Sequence, residues 1–401
     1  MRFLIVDDDR GKTSALQSQL VANGVAAEDI VCCDSVASAR KAIESVAFDA
    51  MLLDVLLPAR KNAVASGANS IEFLRQIIDD GVSVAPRYIF GVTADPSAMR
   101  DFEAEFRSMT LQIFHVAPGA DDWKGLLASL VLFMRRTKAA ESAYQYDIAI
   151  LDALRVPELS AVASQWPLRL EQEALLNNSV LYQVGSGVGD LEGRKVVCAH
   201  PAQMGPVAAA HAAESIIRCF RPRVLLMTGI CGGFSNEVRL GDVIVAERSW
   251  DWQAGKWTDD GVLLPSVDQR NASGRLVALA RTVSSEEVSA IHKKFEGNRP
   301  SHVPRIVIGP MVTGSSVVAS TDIQKAFRSQ HRKMVGVDME CFGLYYAAAV
   351  SAEPRTEVLC VKAVSDLADR EKSDNFQEYC SYMSAHIGLR VVALNFQTAL
   401  A

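Results

Sequence analysis

No apolar run in the 401-residue sequence approaches the roughly 20 residues needed to span a bilayer. Nor is there a lysine- or arginine-rich tract beyond the short cluster Arg135, Arg136 and Lys138, and the formal net charge is −6. Such a surface has no long-range pull toward polyanions, so neither a membrane nor a nucleic acid is an expected partner. Paired cysteines are missing too. Cys32, Cys33, Cys198, Cys219, Cys231, Cys341, Cys360 and Cys380 are scattered without a CxxC pair or a His-rich neighbour, which argues against a zinc site and a disulfide framework. Small buried apolar roles are expected for most of them. The opening MRFLIVDDD passes directly from apolar residues into acids, without the features of a secretory signal, so a cytoplasmic protein is expected. There is no internal repeat and no low-complexity tract.

What is present is an ordinary globular mixture, 49% apolar and 22% charged, too long for one ordinary core. The first third alternates helical patterns with short apolar runs: FLIVD (3–7), DAMLLDVLLP (49–58), YIFGVTA (88–94) and LQIFHVAP (111–118). Buried strands alternating with helices imply a parallel sheet covered on both faces. A helix over about 121–134 runs into the polar stretch RRTKAAESAYQ. A new series of strands begins at Asp147 and includes KVVCAHP (195–201), RVLLMTG (223–229), DVIVAER (242–248), RIVIGPMV (305–312) and EVLCVKAVSD (357–366). The expected organisation is therefore an α/β chain with a domain over 1–135, a linker over 136–146 and a second α/β domain over 147–401.

Three carboxylates fall at the ends of N-terminal strands, where parallel sheets carry their functional groups: Asp7 and Asp8 after the first strand, and Asp54 in the run 49–58. Clustered acids suit a hard divalent cation such as Mg²⁺, and Thr93 at another strand end offers a hydroxyl to a phosphoryl oxygen. Over these residues the segment resembles the receiver domain of bacterial response regulators, a flavodoxin-like fold with five parallel strands. The resemblance makes Asp54 the phosphoacceptor, Asp7, Asp8 and Asp54 the Mg²⁺ ligands, and Thr93 and Phe114 the switch residues. It also implies an upstream histidine kinase or phosphotransfer protein. The sequence departs from the pattern at His115-Val116-Ala117-Pro118, where Ala117 replaces the family's lysine, and in the longer segment after Pro58. The alternative is a degenerate receiver used for docking.

In the second domain, breaking a bond between a purine and its ribose requires an acid for the departing base, stabilisation of the cationic sugar, and a nucleophile on the opposite face. Asp366, with Ser365 beside it, ends the run VKAVSDLAD and is the candidate acid; a Ser-Asp pair there could equally cap a helix. Glu340, in GVDMECFG, is placed to accept hydrogen bonds from ribose hydroxyls, with Met339 as an apolar wall; alternatively it is a helix N-terminal acid. The turn TGICGGF (228–234) lets backbone approach a ligand through Gly229 and Ile230. Together these segments resemble the nucleoside phosphorylase/nucleosidase superfamily over 147–401, an α/β/α fold with a mixed sheet. The resemblance implies purine contacts from Val317 and Val318 in GPMVTGSSVVAS, and a water-activating Glu158 in ILDALRVPEL.

A phosphorylase needs a phosphate cradle with arginines. The equivalent segment HPAQMGPVAAA (200–210) has none, and Lys362 stands where arginine is usual, which favours water as the nucleophile. No cofactor is expected in the second domain. The fusion resembles effectors of Detocs-type anti-phage phosphorelay systems, which cleave adenine from ATP, so an adenine nucleotide or nucleoside is the expected substrate. Arg155, Arg248 and Lys256 are then candidate triphosphate partners. The competing readings are a methylthioadenosine/adenosylhomocysteine-type nucleosidase, a purine nucleoside phosphorylase, and a non-catalytic nucleoside sensor. A homo-oligomer is implied by the superfamily.

Overall fold

The computed structural model describes residues 1–78, 85–117, 119, 121–141, 143–368 and 375–398. Pro118, Ser142 of the polar stretch and Asp369 of VKAVSDLAD lie outside them. The chain divides into two compact units, Met1–Glu141 and Ser142–Ala401.

In the first unit, fully apolar β1 (Phe3–Val6) is followed by α1 (Arg10–Ala22), β2 (Ile30–Cys33), α2 (Val36–Ser45) and β3 (Ala50–Asp54). Then come α3 (Gly67–Ile78), β4 (Tyr88–Thr93), α4 (Pro96–Ser108), β5 (Gln112–His115) and α5 (Asp122–Glu141). The strands form a parallel sheet in the order β2-β1-β3-β4-β5, the doubly wound arrangement whose functional edge is the C-terminal end of the strands. Separate apolar clusters pack on the two faces, one around Leu4, Met51 and Phe106, the other around Phe3, Ile5 and Trp123. The extra residues after Pro58 make a short hairpin, with Leu57–Pro58 paired to Ala65–Ser66. The last helix continues through Glu141, past the point at which the sequence suggested a linker.

The second unit is built on a mixed sheet. Its principal elements are β6 (Tyr146–Leu151), β7 (Val180–Gly187), β8 (Lys195–Pro201), α6 (Pro206–Phe220), β9 (Pro222–Met227) and β10 (Ile230–Gly233). They continue with β11 (Val243–Asp251), β12 (Ile306–Thr313), β13 (Gly336–Asp338), α7 (Cys341–Val350), β14 (Glu357–Asp366) and α8 (Gln377–Thr398). The central order is β7-β8-β6-β9-β14-β10-β13-β12-β11, and β11 also pairs with β14, so the strands β14, β10, β13, β12 and β11 close into a ring. Val243, Ile244 and Val245 sit opposite Ala363, Lys362 and Val361 across the closing seam. The TGICGGF segment is therefore not only a turn, because Ile230–Gly233 is a strand of that ring. Among the described residues no helix is long and apolar enough to cross a membrane.

Candidate functional sites

The ends of β10, β13 and β14 meet at a cavity of about 300 Å³ in the second unit. β14 carries Lys362, Ser365 and Asp366, while Asp338, Met339 and Glu340 follow one another from the end of β13 to the start of α7. All six line the cavity, as do Glu158, Ile230, Val317 and Val318. Val318 is buried and Val317 is more than half exposed.

Glu158 is almost completely buried although its neighbour Val156 is exposed. Leu154 N–H donates to its Oε2 at 2.8 Å and Ile230 N–H to its Oε1 at 2.9 Å. Burial raises its pKa to about 7, with Lys362 acting in the opposite direction. Gly229 is not part of the cavity lining but makes this arrangement possible. Its φ of +127° suits glycine, and a Cβ there would collide with the Glu158 carboxylate. Its N–H is taken by Ser384 Oγ at 3.0 Å. The glycine thus admits a protein carboxylate, where the sequence suggested room for a ligand.

Glu340 lies at the N-cap of α7, but its side chain caps no backbone there. Instead Oε2 accepts from Lys362 Nζ at 2.9 Å and Oε1 from Gly205 N–H at 3.1 Å. Lys362 is 1% exposed and also pairs with Asp338 at 3.6 Å. Burial opposes its charge, yet Glu340, Glu158 and Asp338 hold its pKa well above the usual lysine range. Asp338 in turn accepts from Thr313 Oγ1 at 2.6 Å and Cys341 N–H at 2.9 Å, and burial raises its pKa. Lys362 is therefore committed to two carboxylates within the cavity wall. Sequence reasoning passed over Asp338, although it opens the D-M-E triplet.

Asp366 is half-buried, with Oδ1 accepting from Ala368 N–H at 2.9 Å and Oδ2 from Ser365 Oγ at 3.3 Å. Arg155, Arg248 and Lys256 are absent from the cavity lining. Arg155 pairs with Glu173 at 3.3 Å, Arg248 lies 3.7 Å from Glu247, and Lys256 sits on an exposed hairpin strand. None of the three therefore contributes to the cavity wall itself, although Arg155 directly follows the lining residue Leu154. Met204 and Gln377, which the sequence did not single out, do line the cavity.

In the first unit, Asp7, Asp8 and Asp54 converge, with one oxygen from each within 4.8 Å of the others. Asp7 and Asp54 are buried and Asp8 is exposed. Burial and the nearby Asp54 raise the Asp7 pKa to about 7, and burial also raises that of Asp54. Thr93 is buried at the end of β4 and its Oγ1 accepts from Asp95 N–H at 3.1 Å. Phe114 stacks on Phe90 with ring centroids 5.1 Å apart. The sequence reading missed Lys12, whose Nζ lies 2.8 Å from Asp54 Oδ2 and 3.2 Å from Asp7 Oδ2.

A mixed sheet with an acid-lined cavity at the strand ends defines an α/β enzyme domain. Residues 178–393 match the family model described as Phosphorylase superfamily, and the chain belongs to that superfamily; its second unit is of the N-glycosidase type. An uncharacterized protein, y4jS, of Sinorhizobium fredii is 28% identical over 98% of both chains. The ATP nucleosidase Cap17 of Escherichia coli is 24% identical over 60% of this chain, which spans 50% of that relative. The 5'-methylthioadenosine/S-adenosyl homocysteine nucleosidase of Helicobacter pylori shares the fold, with a TM-score of 0.50, 19% identity, and 65% of this chain and all of the other covered.

Proposed function

We propose that the second unit hydrolyses the N-glycosidic bond of an adenine nucleotide, ATP foremost, and that the first unit is a receiver whose phosphorylation at Asp54 controls it in anti-phage defence. The observation that carries the hydrolytic part is Glu158. A buried carboxylate held by two backbone N–H groups, with a pKa raised to about 7, lines the same cavity as Asp366 and Glu340. That is a general base poised near neutrality.

In this reading Glu158 takes a proton from water as the water oxygen bonds to C1′. The bond from C1′ to the base breaks with its electron pair going to the purine, and Asp366 delivers a proton to N7. Glu340 stabilises the cationic ribose, Met339 packs beneath it, and Val317, Val318 and Ile230 flank the base. Lys362 holds Glu340 in place and leaves no arginine-like fork for phosphate. Water is favoured over phosphate because segment 200–210 brings no cation to the cavity: Met204 supplies an apolar wall, and Gly205 N–H is spent on Glu340.

The preference for ATP is supported by similarity to ATP nucleosidases over part of their length. Asp7, Asp8 and Asp54 suit an Mg²⁺ ion in donor type and proximity, and that ion would supply positive charge against a phosphoryl group. The deciding experiment incubates the full chain with ATP, AMP, adenosine and methylthioadenosine, in water-based and phosphate buffers, with and without acetyl phosphate. Free adenine and a reducing ribose from ATP are expected. No free base from any substrate would overturn the enzyme reading, and a ribose 1-phosphate product would make it a phosphorylase.

A further inference from the structure

We propose that Lys12 is the cationic partner of the phosphoryl group in the first unit, supplied from α1 where the receiver pattern has a lysine at the position of Ala117. The inference rests on the reading of Asp54 as a phosphoacceptor and adds to it a residue and a direction of coupling. Lys12 Nζ is within ion-pair distance of both Asp54 and Asp7, and its side chain is only 7% exposed. Such a buried ammonium would be costly without its two carboxylates.

Local structure fixes it there. Asp9 caps α1, accepting from Gly11 N–H at 2.7 Å and Lys12 N–H at 3.2 Å, and Thr13 Oγ1 donates to Asp7 C=O at 3.4 Å. The first helical turn is thereby folded back over the end of β1, and the Lys12 side chain lies across the acids. On the far side, β5 ends at His115, and Ala117 offers no charge.

During phosphorylation by an acyl phosphate, an Asp54 carboxylate oxygen bonds to phosphorus as the donor's P–O bond breaks. Acetate leaves with that electron pair, and no proton changes hands. The carboxylate has then become an acyl phosphate, a mixed anhydride carrying two negative charges, and Lys12 is the ammonium within reach of it. Because the lysine belongs to α1, the new charge pulls on α1. That helix packs against α5, and Arg135 of α5 donates to Gly24 C=O at 2.5 Å just beyond the end of α1.

The test follows labelling of the full chain by acetyl phosphate and Mg²⁺ with intact-mass spectrometry, and then the decay of the label. Wild type is expected to take up one phosphoryl group and Asp54→Asn none. Lys12→Met, which keeps the apolar stem, should label about tenfold more slowly, the loss of one charge-assisted pair, and Lys12→Arg should recover most of the rate. Circular dichroism checks that each variant is folded, and Lys12→Gln replaces the methionine variant if that one is not. Wild-type rates of labelling and decay in the neutral variants would overturn the role of Lys12 while leaving the phosphoacceptor intact. Absence of label from wild type, or equal label on Asp54→Asn, would overturn the phosphoacceptor reading and Lys12 with it.

Discussion

Asp366 and Glu158 are both carboxylates on the wall of one cavity, and their surroundings push them toward different work. Glu158 is enclosed and has a pKa of about 7, whereas Asp366 is half-buried with a serine hydroxyl on one oxygen. A base must be ionised, so kcat/KM for adenine release should rise with pH and be lost as pH falls through about 7. Glu158→Gln should remove that limb of the profile along with most of the rate; an unchanged acid limb would place the base elsewhere. Asp366→Asn should abolish release while the circular dichroism spectrum stays that of wild type. Lys362 poses a different case. Its removal leaves Glu340 and Asp338 buried without their cation, so Lys362→Met should cost about 3–5 kcal/mol in denaturant unfolding of the second unit as well as activity. A loss below 1 kcal/mol would show that the two acids find other compensation.

At the scale of elements, the ring of strands and the loop before it are coupled through Gly229. Alanine there would need a strained φ and would push its Cβ into Glu158. Gly229→Ala should therefore lower stability by about 1–3 kcal/mol and lower kcat more than KM changes, measured by urea melts and steady-state kinetics on the same preparation. Strands were legible in the sequence where burial on both faces made them continuously apolar. KVVCAHP and EVLCVKAVSD coincide with β8 and β14 residue for residue. β2 was not singled out: its run IVCC is apolar but only four residues long, and Val31 and Cys32 of this edge strand are exposed. Ile230–Gly233 read as a turn because its glycines masked a strand that tertiary pairing imposes. The acids of both units stood in recognisable patterns. Lys12 did not, since its place among Asp7 and Asp54 depends on how the first turn of α1 folds back, which no spacing in MRFLIVDDDRGK reveals. Asp338 was hidden similarly, by a partner, Lys362, lying 24 residues away in sequence and reached only across the ring.

For the whole molecule, the two units make separable predictions. If phosphorylation governs hydrolysis, Asp54→Ala should leave the melting of the second unit unchanged yet alter adenine release under acetyl phosphate. Equal release from wild type and variant would dissociate the two functions. The path of β14 bears on how the protein is made. This strand pairs with β9, β10 and β11, all encoded well before it, and it carries both Lys362 and Asp366. During synthesis the earlier strands must wait, with their central position vacant, until residue 366 has left the ribosome. A nascent chain stopped anywhere short of that point has no closed ring and lacks Asp366, the proposed leaving-group acid. On the proposed function, partial translation products would therefore release no adenine.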